Sequence, residues 1–311
     1  MIHYLRHNEI DQPLWDACVL ESVNSRVYAL SWYLDLVSPG WEALVEDDYA
    51  SVFPLTWNRK LGIRYLFQPF FAQQMGLFSR DFPTIMKLKA FIDALPSKFR
   101  FVEIHLNSLN SLEGLAFSQK FRANHELALN FPYAKLQESY AQNTRRNLKK
   151  AGLEGITVQT ETSPGALVAM FRDNFGKKEG KLKSRHYDIM EKIIIHGHQS
   201  GTGYILGAHA RDGALSSAAF FLQGISRAYF LFAASVAASR DNGAMFFLID
   251  KFIRDHAGEA VTLDFEGGND PGLGRFYKSF GACETKYPLL EINRLPWVFN
   301  QALHFKRKFV K

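Results

Sequence analysis

The chain has 311 residues, of which 47% are hydrophobic and 22% charged, and its formal net charge is +6. That composition excludes a disordered or low-complexity chain and is long enough for one large or two moderate domains. Only Cys18 and Cys283 occur, which leaves no disulfide framework and no cysteine metal-ligand spacing, and a reducing cytoplasm fits.

The N-terminus, MIHYLRHNEIDQPLW, lacks the apolar core of a signal peptide. The longest apolar run, Ala228 to Ala238, falls short of the ~20 residues that a membrane span needs, so no span is expected. The positive charge favours an anionic partner, such as a phosphate-bearing cofactor, tRNA or a lipid headgroup, without choosing between them.

In chain order, Pro13 to Ser25 reads as a helix, and Ser31 as the cap of a shorter second one. Trp41 to Glu46 and Tyr49 to Trp57 form an expected hairpin around Asp47 and Asp48. Tyr65 to Phe71 is a further strand, Pro83 to Leu95 an amphipathic helix, and Phe99 to Leu106 an alternating strand. Ser139 to Ala151 is an expected helix carrying Arg145, Arg146, Lys149 and Lys150 at i, i+4 spacing. Ile156 to Gln159 is a strand and Pro164 to Phe175 a helix. The basic segment GKKEGKLKSRH at 176–186 reads as a loop or mobile flap, before a helix from Tyr187 to His198.

The second half continues with a hairpin, Tyr204 to Ala210 and Ala214 to Gln223, around Arg211-Asp212-Gly213. A strand at Ala228 to Ala233, a helix at Asp241 to His256 and a strand at Val261 to Phe265 follow. A last helix is expected from about Pro296, with a basic tail of Lys306, Arg307, Lys308 and Lys311. Hairpin, strand, helix and strand thus occur twice at an offset of about 160 residues, which predicts two copies of one α/β unit, divided as residues 1–134 and 135–311.

The stretch TLDFEGGNDPGLGRFYKSFG, Thr262 to Gly281, carries the strongest chemical pattern. A short strand ends at Glu266-Gly267-Gly268, where open sheets place ligands. Asn269 or Asp270 then caps a helix that begins with Pro271 and bears Phe276, Tyr277 and Phe280. Strict strand alternation would put Asp264 and Glu266 on one face. Acidic groups facing a phenol on a separate rigid element suit general acid–base work.

Phe276 to Gly281 resembles the Phe-Tyr-x-x-Leu-Gly-Phe signature that closes many GNAT-fold N-acyltransferases. Together with Asp-Phe-Glu-Gly-Gly at 264–268 it also resembles the C-terminal pattern of Fem-type aminoacyl transferases, which carry two GNAT-like halves. The resemblance covers residues 135–292 well and the first half in outline. It implies an α/β fold of two tandem GNAT-like units with mixed, mainly antiparallel sheets flanked by helices.

It implies too that Tyr277 protonates a departing thiolate; the carboxylates at the strand end, Glu266 or Asp264, are the candidate base or else pair with a neighbouring arginine. Arg240-Asp241-Asn242-Gly243-Ala244 matches the family's pyrophosphate loop in its Arg and first Gly and departs at Met245. Arg240, Asn242, Gly243 and Ala244 are therefore the expected donor-binding residues. Lys278 stands one position beyond the lysine of Fem-type proteins, roughly 100° around the helix. Arg145 and Arg146 are expected on acceptor phosphates, and Glu103 and His105 on a facing wall.

The expected activity is N-acyl transfer, and in particular N-acetyl transfer. An acyl-CoA, with acetyl-CoA favoured, would supply the acyl group to an amine of a small molecule or cell-envelope precursor, with no metal. The rivals are a Fem-like transferase using aminoacyl-tRNA on a cell-wall precursor, and a silent double-GNAT scaffold binding a polyanion through its basic helix. His196 and His198 lack a third zinc ligand.

Overall fold

The computed structural model describes residues 1–160, 162–176, 182–239 and 241–297. Arg240, part of the 176–186 segment and the basic tail lie outside the described residues. The chain divides into two compact units, Met1–Arg122 with the segment from Tyr287 onward, and Ala123–Lys286.

The first unit contains β1 (Ile2–Leu5), α1 (Gln12–Glu21), α2 (Ser31–Val37), β2 (Glu42–Glu46) and β3 (Ser51–Leu55). It continues with β4 (Trp57–Lys60), β5 (Ile63–Phe67), β6 (Phe78–Ser79), α3 (Ile85–Asp93) and β7 (Phe99–His105). Strands β1, β2, β3 and β6 make one antiparallel sheet. In a second set, β4 pairs antiparallel with β5, and β5 pairs parallel with β7.

Two local expectations fail here for physical reasons. Residues 49–57 do not form one strand. SVFPL is buried at every position in β3, whereas β4 begins anew at Trp57 with three exposed residues and pairs with β5. Ser31 is the first helical residue of α2 rather than its cap. Both its N–H, at 2.7 Å, and its hydroxyl, at 2.6 Å, donate to Asp16 of α1.

The next elements are β8 (Lys120–Ala128), α4 (Tyr133–Glu138), α5 (Gln142–Leu153), β9 (Thr157–Gln159), α6 (Pro164–Phe171) and α7 (Ser184–Gln199). They are followed by β10 (Gly203–His209), β11 (Leu215–Gln223), β12 (Arg227–Ser235), α8 (Ala244–Asp255), β13 (Thr262–Asp264), α9 (Pro271–Lys278) and β14 (Cys283–Asn293). In the second unit the strands run β8, β13, β12, β11, β10, β9 across the sheet. The β12–β13 pair is parallel and the other pairs are antiparallel.

The expected hairpin at Arg211-Asp212-Gly213 forms, with Gly213 at φ 83° as such a turn requires. Helix α8 starts at Ala244, not Asp241, because its cap residue Gly243 adopts the left-handed φ 77°. Its apolar stripe buries Leu248, Ile249, Phe252 and Ile253, and Phe252 stacks on Phe221 of β11 with centroids 4.0 Å apart. Each such buried side chain stabilises by about 1.5–3 kcal/mol relative to exposure. This packing fixes α8 against β10 and β11. No helix among the described residues is long and apolar enough to cross a membrane.

Candidate functional site

The parallel pairing of β12 with β13 extends over only three residue pairs, Arg227 with Thr262, Ala228 with Leu263 and Tyr229 with Asp264. Beyond Tyr229 the two strands part. From Phe230 to Ser235, β12 has β11 on one side and, among the described residues, no strand partner on the other. A cavity of about 660 Å³ opens along this free edge, lined by Phe230, Ala234, Met245, Glu266, Phe276 and Tyr277 among others. Unpaired backbone groups at a strand edge are strong, fixed hydrogen-bonding dipoles.

Tyr277 is positioned by α9. Asp270 caps that helix, accepting the N–H groups of Gly272 at 2.8 Å and Leu273 at 2.9 Å, with Pro271 at the first helical position. The Tyr277 ring stacks on Phe265, with centroids 4.7 Å apart and planes at 23°, and meets Phe230 edge-on at 6.4 Å. The residue is 7% exposed, and among the described residues its hydroxyl has no hydrogen-bond partner. Burial pushes the phenol well above its ordinary range, and the nearby carboxylates of Glu266, Asp264 and Asp270 push the same way. The group is therefore neutral, a proton donor held ready in a largely apolar wall.

The two carboxylates are not alike. Strand β13 stops at Asp264, and Glu266 takes φ 60°, which breaks the alternation that would have put both on one face. Glu266 lines the cavity with Tyr277; Asp264 does not. Asp264 is fully buried, accepts from Asn124 at 2.8 Å and the Glu266 N–H at 3.0 Å, and pairs with Arg227 at 3.0 Å. Arg227 also reaches Glu126 at 3.0 Å. Asp264 is thus the anchor of the loop, with its lone pairs engaged.

His125, on β8, was not singled out in the sequence. It is 1% exposed, and its Nδ1–H donates to the Gly267 carbonyl at 2.9 Å. Nε2 is buried without a hydrogen bond, 4.0 Å from Glu284 Oε2. The ring centroid lies 6.0 Å from that of Tyr277. The strand KFRANHELA has few β-branched residues, and its charged alternation gave no sign of a buried histidine.

Lys278 points elsewhere. Half exposed, it donates to Glu284 at 2.7 Å and does not line the cavity. Arg145 caps α4, donating to the Glu138 carbonyl at 2.9 Å, and borders a separate open cavity of about 490 Å³ with Lys149. Arg146 is exposed and donates to Asn143 Oδ1 at 2.9 Å. Glu103 and His105 lie on β7 in the first unit, opposite Glu291 and Leu289 of β14.

The expected pyrophosphate loop is partly closed by the chain itself. Asn242 Oδ1 accepts the Ala244 N–H at 3.0 Å. A Cβ at Gly243 would stand 2.3 Å from the Asn147 carbonyl of α5, so this glycine serves close helix–helix approach. Met245 lines the cavity.

No protein-family model and no curated protein matches this sequence. Among solved structures the chain is similar to FemX at a TM-score of 0.63 and 16% identity, over 92% of this chain and 96% of that one. It is similar to L-PGS from Bacillus licheniformis at 0.57 and 11%, over 96% and 95%. The C-terminal domain of a putative lysylphosphatidylglycerol synthetase from Agrobacterium fabrum gives 0.57 and 10%, over 94% and 95%. At these identities the likeness is one of fold. The chain shares the α/β fold of FemX and of the lysylphosphatidylglycerol synthetase domain over nearly its whole length, as its C-terminal motif led one to expect.

Proposed function

We propose that the second unit is an N-acyltransferase that moves an acyl group from a bound thioester to an amine. The observation that carries this reading is the cavity where β12 and β13 part, which joins a free strand edge to an uncommitted, protonated Tyr277 and to Glu266. The acyl carbonyl lies along β12, whose unpaired backbone groups polarise it. The amine gives its proton to Glu266 and attacks the carbonyl carbon. The tetrahedral adduct then collapses, the carbon–sulfur bond breaks, and Tyr277 protonates the thiolate. Solvent returns a proton to Tyr277. Asp264 keeps the loop in place through Arg227 and takes no proton.

Acetyl-CoA is the favoured donor. A second reading, transfer from an aminoacyl ester such as aminoacyl-tRNA to a cell-envelope amine, is favoured by one specific observation. The α8 N-terminus already uses its Ala244 N–H internally, and α5 covers Gly243, which leaves a reduced cradle for a pyrophosphate.

Calorimetric titration with acetyl-CoA, CoA and an aminoacyl-adenosine ester mimic separates the two. Micromolar binding of acetyl-CoA that weakens in Arg240→Ala supports the first reading. Binding of the ester mimic alone moves the donor to the second. Acyl transfer to a panel of amines that persists undiminished in Tyr277→Phe would remove this tyrosine from the mechanism.

A further inference from the structure

The first unit carries a second site of a different character. Strands β4 and β5 form a hairpin in which Arg59 and Arg64 are direct cross-strand partners. Like charges in that relation destabilise a sheet unless something neutralises them. Next to them the β5–β7 register slips: Arg64 faces Phe99 and Tyr65 faces Phe101, so Arg100 is the extra residue of a bulge. A bulge of this kind re-aims a side chain. Here it adds a third arginine to the same place.

Arg59, Arg64 and Arg100, with Lys98, surround an open cavity of about 390 Å³ that is also bordered by Gly62 and Pro296. Lys98 is matched by Glu42 at 2.7 Å. Among the described residues none of the three arginines forms an ion pair, although Arg64 sits over the Trp57 ring at 5.1 Å. Among the described residues no carboxylate lines the cavity.

Large apolar side chains flank this cationic cavity. Leu61, at the hairpin tip beside Gly62, is 79% exposed, and Trp297, which follows Pro296, is 75% exposed. Leu61 holds φ 49° and Gly62 φ 80°, a tight turn that presents the leucine outward. The sequence beyond, residues 298–311, contains Phe299, Phe305, Phe309, Lys306, Arg307, Lys308 and Lys311 and no acidic residue. Cations around a protruding leucine and tryptophan match the chemistry of an anionic bilayer surface, where ammonium and guanidinium groups meet phosphates and apolar tips enter the interface. A free phosphate would use the arginines and leave Leu61 without a role.

We infer that the β4–β5 hairpin of the first unit docks the protein on an anionic phospholipid surface, through Arg59, Arg64 and Arg100 with Leu61 inserted.

The test is co-sedimentation of the full chain with phosphatidylcholine vesicles, with and without phosphatidylglycerol, at low and raised salt. Binding is expected only to the anionic vesicles and should weaken with salt. Each arginine replaced by serine should weaken it about fivefold, and Arg59→Ser/Arg64→Ser roughly 25-fold. Leu61→Ser should weaken it about tenfold, a loss that charge alone does not predict. Lys149→Ser/Lys150→Ser, which removes the same charge from α5, should leave it unchanged. Circular dichroism melts check that each variant is folded; Arg59 and Leu61 are exposed, so Arg59→Ser and Leu61→Ser can be read singly if the double variant is not. Equal loss from the α5 variant, or no loss from the hairpin variants, overturns the proposal. So does arginine-dependent binding of inorganic phosphate or an RNA duplex without vesicle binding.

Discussion

His125 and Gly268 are in contact that only a glycine permits: Gly268 adopts φ 138°, and a Cβ on it would stand 2.1 Å from His125 Nδ1. The same ring nitrogen holds the preceding carbonyl, that of Gly267, at 2.9 Å. One buried imidazole therefore sets the path of the loop between Glu266 and the cap of α9, and through it the place of Tyr277.

Gly268→Ala is expected to destabilise the fold by about 1–3 kcal/mol, from backbone strain and overpacking against the ring. Urea midpoints would show it. The effect of adding His125→Ala to that variant should be smaller than the sum of the two single changes, because the clash disappears with the ring. Strict additivity would sink the claim that these two residues act on each other.

Tyr277→Phe should leave stability within about 0.5 kcal/mol, since among the described residues the hydroxyl has no partner to lose and the ring stacking on Phe265 is kept. The turnover of the acyl transfer should fall about 10²–10⁴-fold if the phenol is the general acid. A fall in stability with unchanged turnover would reverse the assignment.

Asp264→Asn should be costly in a different way. It leaves the largely buried Arg227 guanidinium with one partner fewer in a site where Asp264 itself is fully buried. Removing one member of such a pair costs about 3–5 kcal/mol. Denaturant unfolding measures this, and a near-neutral result would mean that Glu126 alone suffices for Arg227.

His105 supplies a pH dependence. Burial, with Arg122 adding to it, pushes its imidazolium down from 6.5 to about 4. The folded state therefore binds fewer protons than the unfolded one between those values, and stability rises with pH across that window. The contribution is complete above the unfolded value of 6.5 and is lost as pH falls towards 4. Its size is on the order of 2 kcal/mol, allowing for the partial exposure of the ring. Comparing urea midpoints at about pH 7 and about pH 5 for the wild type and His105→Gln checks it, and the variant should show the smaller difference.

Much of the second unit was legible in the chain because its signals are local. Gly213 in the β10–β11 turn, the 3.6-residue stripe of α8, and Asp270-Pro271 opening α9 each act within a few residues. The placement of Tyr277 on a short helix after a strand end followed from the same local chemistry. Residues 57–60 and 120–128 gave no comparable pattern, since WNRK is exposed and KFRANHELA is mostly polar, so neither read as a strand.

What the sequence by itself determined was the two-fold repetition of elements, the α/β class and the motif that carries Tyr277, because hydrophobic period, caps and turn residues are properties of neighbours along the chain. What only the tertiary structure decided was where each group sits and what surrounds it. Asp264 and Glu266 are two residues apart, yet one is engaged by Arg227 and Asn124, 37 and 140 positions away, and the other lines the cavity. His125 becomes a loop anchor only because β8 pairs with β13. A side chain's protonation, burial and partners depend on the elements packed around it, and those contacts bring together residues whose spacing along the chain carries no trace of them.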